Sequence, residues 1–152
     1  MALISPADQQ HLRESFAGME RPVRLLFFTQ TLDCETCPQT RQILDELPPL
    51  SDKITIEEVN FVLEGDRARE HGIDRVPAVA IAYEDAGFAG APGVVKDSRI
   101  RCVGTPAGYE FISLVQAILL VGGRESILSP DNRARVTGIA QPVRIQVFTT
   151  PS

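Results

Sequence analysis

The sequence predicts an α/β domain in which helices cover both faces of a four-stranded mixed sheet. Two apolar runs, Val23–Thr29 and residues 76–83, have the composition of strands that are buried on both faces. Segments with helically spaced apolar residues alternate with these runs along the chain. With 152 residues and 43% hydrophobic composition, the chain is long enough for one well-packed core. We therefore expect a three-layer fold with these two strands at the centre of the sheet.

Three further elements are predicted around the first central strand. Ser5 before a proline is a good helix N-cap, which predicts a helix over Pro6–Ala17. Residues 35–47 have apolar side chains at helical spacing and end at a pair of prolines, which predicts a second helix. Residues 54–61 alternate between apolar and polar side chains, as expected of a strand at the sheet edge.

The chain around the second central strand follows the same alternation. Residues 64–71 form a short polar segment that ends at Gly72, which predicts a third helix. Pro77 then lies near the start of the second central strand, where a missing backbone N–H is tolerated. Residues 84–97 are rich in glycine and alanine, which predicts a long mobile connection.

The last third of the chain contains two more predicted strands and two more helices. Residues 99–102 alternate and predict a strand at the other sheet edge. Thr105 before a proline predicts an N-cap for a long helix over residues 106–121. A second Ser-Pro pair predicts a short helix over residues 129–136, and residues 143–148 predict a final strand. The core pattern is thus βαβαββα.

The final predicted strand repeats the first one. The segment PVRIQVFT at residues 142–149 matches PVRLLFFT at residues 22–29 at five of eight positions. A repeat at that distance predicts a tandem duplication whose second unit is cut after its first strand. We therefore expect an N-terminal helix in residues 1–20, one domain in residues 21–123, and a linker helix with the first strand of a truncated second unit in residues 124–152.

Charge and hydropathy exclude several classes of function. The net charge is −5, there is no tryptophan and no basic stripe, so nucleic acid is not an expected partner. No apolar run has the length of a membrane span. The first ten residues lack the features of a secretory signal, so we expect a cytoplasmic protein without a membrane partner.

The chemistry is predicted to lie in the motif Cys34-Glu35-Thr36-Cys37, where a buried strand ends and a helix begins. Free N–H groups and the dipole at a helix N-terminus stabilise a thiolate, and one helical turn brings the two sulfurs together for disulfide closure. Half of a zinc site is the weaker alternative, because Cys102 and the two histidines show no spacing that completes it. The pattern therefore favours redox chemistry. Cys102 itself is predicted to be a small buried hydrophobe.

Four stretches carry a family resemblance, and they are FFTQTLDCETCPQTRQILDEL, GIDRVPAV, VGTPAGYEF and PVRIQVFTTPS. With them the sequence resembles the thioredoxin-like superfamily, and more closely the glutaredoxin-like protein disulfide oxidoreductases built from two tandem thioredoxin-like units. It also resembles the tandem N-terminal region of the flavoprotein subunit of alkyl hydroperoxide reductase. The resemblance covers nearly the whole chain and implies a thioredoxin-like fold with thiol–disulfide oxidoreductase activity.

The resemblance also implies a role for individual residues. Cys34 would attack a substrate disulfide as a thiolate, and Cys37 would resolve the mixed disulfide. Pro77 would form a cis bond with Val76 opposite the cysteines, and both residues, together with Thr36, would contact the substrate. The partners would be protein or peptide thiols and disulfides and an unidentified electron donor. We expect no cofactor and no metal.

Two further expectations concern association. A competing interpretation is a redox-inactive thioredoxin-like module that docks a partner or supports a second, catalytic unit. The predicted helix over residues 106–121 has apolar side chains around most of its axis, and the predicted strand 143–148 has no neighbour to pair with. These two features predict a homodimer that forms through the segment after Gly123.

Overall fold

A four-stranded sheet with helices on both faces forms the core of the protein in a computed structural model, which describes residues 3–85 and 93–148. Along the chain the elements are α1 (Pro6–Ala17), β1 (Val23–Thr29), α2 (Cys37–Asp45), β2 (Ile54–Asn60), α3 (Gly65–Glu70), β3 (Ala78–Asp85), β4 (Val94–Val103), α4 (Tyr109–Val121) and α5 (Pro130–Thr137). A 3₁₀ turn, Pro48–Leu50, links α2 to β2. The elements from β1 to α4 follow the predicted βαβαββα order, which confirms the α/β fold class.

The sheet has the order β2-β1-β3-β4, so the two predicted central strands, β1 and β3, are central. β1 runs parallel to β2 and antiparallel to β3, which is antiparallel to β4. One row across the sheet therefore consists of Val59, Phe28, Ala78 and Val103. The ends of β1, β2 and β4 and the start of β3 lie at this row. We call this end of the sheet the cysteine edge, because Cys34 follows β1 there.

Side chains of β1 alternate between two apolar clusters, one on each face of the sheet. Leu25 and Phe27 pack in the cluster that includes residues of α1, α2 and α4. Leu26 and Phe28 pack in the cluster that includes Ala68 of α3. All four β1 side chains are at most 3% exposed. Burial of one such side chain contributes about 1.5–3 kcal/mol to the free energy of unfolding. Apolar side chains on both faces of β1 therefore stabilise the packing of the sheet against the helices on each side.

The helix that follows the cysteine motif begins later than the sequence predicts. α2 starts at Cys37 rather than residue 35, with Thr36 as its N-cap residue. Residues 35 and 36 form a turn that the Cys37 N–H closes on the Cys34 carbonyl at 3.4 Å. The two cysteines therefore flank a turn rather than share the first turn of a helix.

The predicted start of α4 is also wrong. The helix begins at Tyr109, with Gly108 as its N-cap residue at a positive φ of 58°. Thr105 does not cap this helix. Its hydroxyl instead contacts Thr40 of α2, as described below.

Both strands next to the predicted mobile connection extend further into it than expected, and β3 begins at Ala78 rather than at residue 76. β3 continues to Asp85 and β4 begins at Val94, so much of residues 84–97 belongs to a hairpin. The ladder has an irregularity opposite Ile81 and Ala82, and Arg99 has a positive φ of 65°. Pairing continues on both sides of this bulge, but the register shifts, because Ile81 pairs with Ile100 and Ala82 pairs with Asp97. The rest of the predicted connection, residues 86–92, lies outside the described residues.

The segment after α4 confirms one prediction and corrects another. α5 forms as predicted, and the Ser129 hydroxyl accepts a hydrogen bond from the Asn132 N–H at 3.3 Å. The predicted strand over residues 143–148 is wrong, because these residues form no ladder with any strand of the described chain. A strand exists only with a hydrogen-bonded neighbour, and the side chains here are exposed instead. Residue 149 of the sequence repeat lies outside the described residues.

In the parts of the chain that the structure describes, no helix is long and apolar enough to cross a membrane.

Candidate active site

The loop after β1 delivers Cys34 to the cysteine edge. Asp33, directly before it, adopts a left-handed conformation with φ 56°. Aspartate tolerates this conformation better than most residues do. The Gln30 side-chain amide donates a hydrogen bond to the Asp33 carbonyl at 3.4 Å. This hydrogen bond stabilises the turn. The backbone thus reverses just before the first cysteine.

Cys34 and Cys37 form a disulfide with a Cα–Cα distance of 5.4 Å. Their environments differ, because Cys34 is half-buried while Cys37 is only 3% exposed. A pair of adjacent sulfurs with one accessible member can accept and return two electrons by disulfide exchange. The structure therefore brings together the two residues that the motif predicts.

A cavity of about 200 Å³ lies beside the disulfide. Both cysteines line it, together with Phe27, Thr29, Gln30, Thr31, Pro38, Arg41 and Glu58. Arg41 of α2 donates to Asp45 at 2.8 Å and forms an ion pair with Glu58 of β2. The hydrogen bond to Asp45, with the nearby charges of Asp45 and Glu58, outweighs the effect of burial and raises the pKa of Arg41. A permanent cation therefore shares the cavity with both sulfurs.

Hydroxyl hydrogen bonds connect the cysteine turn to a second loop. Thr40 is fully buried, and both its N–H and its hydroxyl donate to the Thr36 carbonyl, at 3.0 and 2.9 Å. The oxygens of the Thr40 and Thr105 hydroxyls are 2.8 Å apart. Because the single Thr40 hydroxyl hydrogen is used on Thr36, the Thr105 hydroxyl donates to Thr40. The turn between the cysteines is thereby connected to the loop before α4.

The loop before α4 also contacts the segment that contains Pro77. The Val76–Pro77 peptide bond is cis in the structure, Pro77 is buried and Val76 is half-buried. The Gly104 N–H donates to the Pro77 carbonyl at 2.8 Å. Gly104 therefore binds the Pro77 segment, while Thr105, the next residue, binds Thr40 of α2.

The predicted site residues therefore fall into two groups. Cys34, Thr36 and Cys37 lie in one turn, whereas Val76 and Pro77 lie across the cysteine edge and do not line the cavity beside the disulfide. The sequence predictions missed Thr40, Arg41, Thr105 and Glu58. A signal existed only for Thr40, because a threonine four residues after a carbonyl in a helix often donates to it.

Cys102 and the histidines contribute no further site. Cys102 is a free thiol on β4, and burial raises its pKa. The Cys102 side chain is half-buried rather than fully buried as predicted, and a thiol of raised pKa is a poor nucleophile. Among the residues that the structure describes, no group of three or more His, Cys, Asp and Glu side chains is arranged to hold a metal ion.

Exposed apolar side chains surround the cysteine edge. They are Leu32 after β1, Val62 and Leu63 after β2, Val103 at the end of β4 and Tyr109 at the start of α4, and we call them the apolar rim. Each is between 57% and 85% exposed. Arg75 and Asp74, shortly before Pro77, form an ion pair at 2.8 Å. Several apolar side chains are thus exposed to solvent at one edge of the sheet.

Comparison with known proteins identifies relatives over much of the chain. A protein described as "Probable Thioredoxin" from Methanothermobacter marburgensis is 33% identical over 72 residues, which are 47% of this chain and 82% of that protein. No family model matches the chain.

Two solved structures are similar over most of this chain. The NTD_N/C domain of the alkylhydroperoxide reductase AhpF from Enterococcus faecalis matches 88% of it with a TM-score of 0.72 and 26% identity. A protein disulfide oxidoreductase from Aeropyrum pernix matches 88% with a TM-score of 0.67 and 25% identity. The chain spans 59% and 54% of these two structures. Together with the Cys34–Cys37 pair, these similarities show that the chain belongs to the thioredoxin-like superfamily of thiol–disulfide oxidoreductases.

Proposed function

We propose that the chain exchanges disulfides with protein or peptide substrates, with Cys34 as the nucleophile and Cys37 as the resolving cysteine. The observation that carries the assignment is the difference in exposure between the two bonded cysteines. Only the accessible sulfur can meet a disulfide on another molecule, while a buried sulfur can attack only its neighbour.

The exchange has two steps that conserve electrons. The Cys34 thiolate attacks one sulfur of the substrate disulfide, and the other substrate sulfur leaves as a thiolate that takes a proton from water. The Cys37 thiolate then attacks the Cys34 sulfur and releases the second substrate thiolate. The substrate gains two electrons, and the chain is left with the Cys34–Cys37 disulfide. A dithiol donor of unidentified nature returns the two electrons by the reverse exchange.

The substrate in this proposal is an extended polypeptide rather than a small charged thiol. The apolar rim provides contact area for apolar side chains beside Cys34. Val76 and Pro77 would form the opposite wall, where the Val76 backbone pairs with the substrate as an added strand. Thr36, in the turn between the cysteines, would contact the substrate from the other side.

Turnover of a disulfide-bonded polypeptide, with dithiothreitol as the reductant, tests the proposal. Cys34→Ser is expected to abolish turnover. Cys37→Ser, reduced beforehand and mixed with the substrate after dithiothreitol has been removed, is expected to accumulate a mixed disulfide that mass spectrometry detects. Cys102→Ser is the matched control, since it removes a thiol outside the site, and it is expected to leave turnover unchanged. A fully reduced chain that does not react with disulfides would contradict the proposal and favour the docking-module interpretation.

A homodimer is a separate part of the proposal. Val143, Ile145 and Val147 alternate at strand spacing, are each at least 65% exposed and repeat the pattern of β1. Such a segment is a template for pairing with another chain. We propose that two copies associate through the region after Gly123, and that residues 124–152 correspond to the start of a second thioredoxin-like unit.

Light scattering at micromolar concentration tests the dimer. The full chain is expected to have twice the mass of a variant with Val143, Ile145 and Val147 changed to serine. A full chain of monomer mass would overturn this part without affecting the redox proposal.

The expected cytoplasmic location is the last part of the proposal. A reducing compartment would keep the cysteine pair available as a dithiol. Fractionation of cells that make the tagged chain tests this, and recovery outside the cytoplasm would contradict it.

A further inference from the structure

The structure contains a polar bridge between the two halves of the site, which the reaction chemistry alone does not need. It runs from the Thr36 carbonyl through the Thr40 and Thr105 hydroxyls to Gly104, whose N–H binds the Pro77 carbonyl. Each link is between 2.8 and 2.9 Å. The turn that contains the cysteines is therefore connected to the Pro77 segment through one continuous path.

The loop that carries this path has little intrinsic preference for a single conformation. Gly104 and Gly108 both have positive φ, at 96° and 58°, and they flank Thr105 within five residues. Glycine reaches such conformations without steric cost and leaves them as easily. The Gly104 N–H and the Thr105 hydroxyl anchor the two sides of this loop, and Pro106 between the glycines is buried.

Two hydroxyl groups join α2 to the loop before α4. Among the described residues, the buried side chains are apolar except for that of Thr40. The Thr40 hydroxyl makes two hydrogen bonds. Two apolar residues of the same shape would fill this space at nearly the same stability. Hydrogen bonds add direction, because they fix the relative position of donor and acceptor more tightly than apolar contact does.

We propose that Thr40 and Thr105 are positioning residues that hold the Pro77 segment at a fixed distance from the cysteine pair, so that a polypeptide can contact both. This inference rests on the proposed function. A polypeptide substrate has to reach the Cys34 sulfur while its backbone pairs along Val76. A small disulfide has to reach only the sulfur. Displacement of one wall by about 1 Å is enough to slow a reaction that requires both contacts.

The test compares two substrates on variants of the full chain. Thr40→Val and Thr105→Val remove one hydroxyl each and keep the shape of the side chain. We expect each to lower kcat/KM for a disulfide-bonded polypeptide about 10-fold. The rate with a small aromatic disulfide is expected to stay within about twofold, because accessibility of Cys34 is unchanged. Thr105→Ser keeps the hydroxyl and is expected to restore polypeptide turnover.

Thr137→Val is the matched control. The Thr137 hydroxyl donates to the Arg133 carbonyl at 2.8 Å, the same bond that Thr40 makes to a carbonyl four residues earlier, but in α5. This variant is expected to leave both substrates unaffected. The double variant Thr40→Val with Thr105→Val is expected to lose no more polypeptide activity than either single variant, since the two hydroxyls act as one link.

Three results would overturn the inference. Equal loss with both substrates would indicate a general effect on the cysteines. Unchanged polypeptide turnover in Thr105→Val would show that the hydroxyl link has no role, even if Thr40→Val fails to fold. Additive losses in the double variant would show that the residues act separately. In each case polypeptide turnover by the unmodified chain keeps the proposed function standing, whereas its absence would contradict that function instead.

Discussion

Cys34 and Cys37 are joined through their sulfurs, yet one is half-buried at the cysteine edge while the other is 3% exposed beneath it. The difference arises because Cys34 lies in the loop after Asp33, whereas Cys37 begins α2 and packs into the layer below. In the proposed function, this difference in exposure makes Cys34 the nucleophile and Cys37 the resolving cysteine.

Alkylation of the reduced chain provides the first prediction. Iodoacetamide at limiting concentration is expected to modify Cys34 at least about 10-fold faster than Cys37, because the thiolate must be accessible to react. Peptide mapping by mass spectrometry after short exposures measures both rates. Cys102 serves as an internal reference, since burial raises its pKa and slows its reaction. Equal rates at Cys34 and Cys37 would contradict the assigned nucleophile.

The apolar rim provides the second prediction. Leu63 is 83% exposed, so Leu63→Glu is expected to change stability by less than about 0.5 kcal/mol. It introduces a charge where an apolar substrate segment would pack, so kcat/KM for a polypeptide disulfide is expected to fall several-fold. Reaction with a small disulfide is expected to stay the same. Ile127→Glu, at a side chain 91% exposed beyond α4, is the control, and an equal effect there would reject a role for the rim.

Two glycines that end helices provide the third prediction. A Cβ on Gly122 would lie 2.8 Å from the Met19 Cε and 3.1 Å from the Ile118 carbonyl oxygen, within the buried core. Gly122→Ala is therefore expected to lower the free energy of unfolding by about 1–3 kcal/mol. A Cβ on Gly18 meets nothing closer than 3.7 Å, and its φ of −80° suits alanine. Gly18→Ala is expected to be neutral or stabilising by about 0.4–1 kcal/mol. Urea unfolding measures both, and equal effects would contradict the packing argument.

Asp97 provides the fourth prediction, on pH. Its carboxylate accepts from the Arg101 guanidinium at 2.6 and 2.8 Å and from the Arg99 N–H at 2.9 Å. The hydrogen bonds from Arg101, then that from the Arg99 N–H, outweigh burial and lower the pKa of Asp97 to about 2. In an unfolded chain the pKa of aspartate is about 3.9. The stabilisation is therefore complete above the unfolded pKa and is lost as the pH falls through about 2.

Unfolding of Asp97→Asn at a series of pH values checks this. The variant is expected to be less stable than the unmodified chain at pH 7, and the difference is expected to shrink as the pH falls from about 4 towards 2. Asp66→Asn is the control, because the Asp66 side chain is 89% exposed in its pair with Arg69. A difference between Asp97→Asn and the unmodified chain that stays constant from pH 7 to pH 2 would show that the Asp97 carboxylate is not stabilised in the folded state.

Thr105 illustrates where reasoning from the sequence failed. A threonine before a proline is a strong local signal for a helix N-cap, and the helix does follow, but it begins four residues later at Tyr109. The Thr105 hydroxyl has a better partner in Thr40, which lies 65 residues away in the chain. A contact over that distance leaves no local pattern, so the wrong assignment could not be avoided.

The C-terminal segment shows a different kind of failure. Residues 143–148 have the composition of β1, which is a central strand, but they form no strand in the described chain. Composition sets how well a segment fits between two covered faces, while pairing requires a neighbour with free backbone groups. β1 pairs with β2 on one side and with β3 on the other, whereas residues 143–148 pair with no strand of the described chain.

The sequence by itself determined the α/β order, the two central strands, the caps of α1 and α5 and the position of the cysteine pair. These features depend on local rules, namely apolar periodicity, prolines after N-caps and two cysteines three positions apart after a buried strand. Only the tertiary structure decided that Arg41 and Glu58 share a cavity with the disulfide, and that Thr40 and Thr105 connect it to Pro77. Those pairs come together because separate strands and loops end at the same edge of the sheet, and the order of strands in a sheet is fixed by the packing of the whole core.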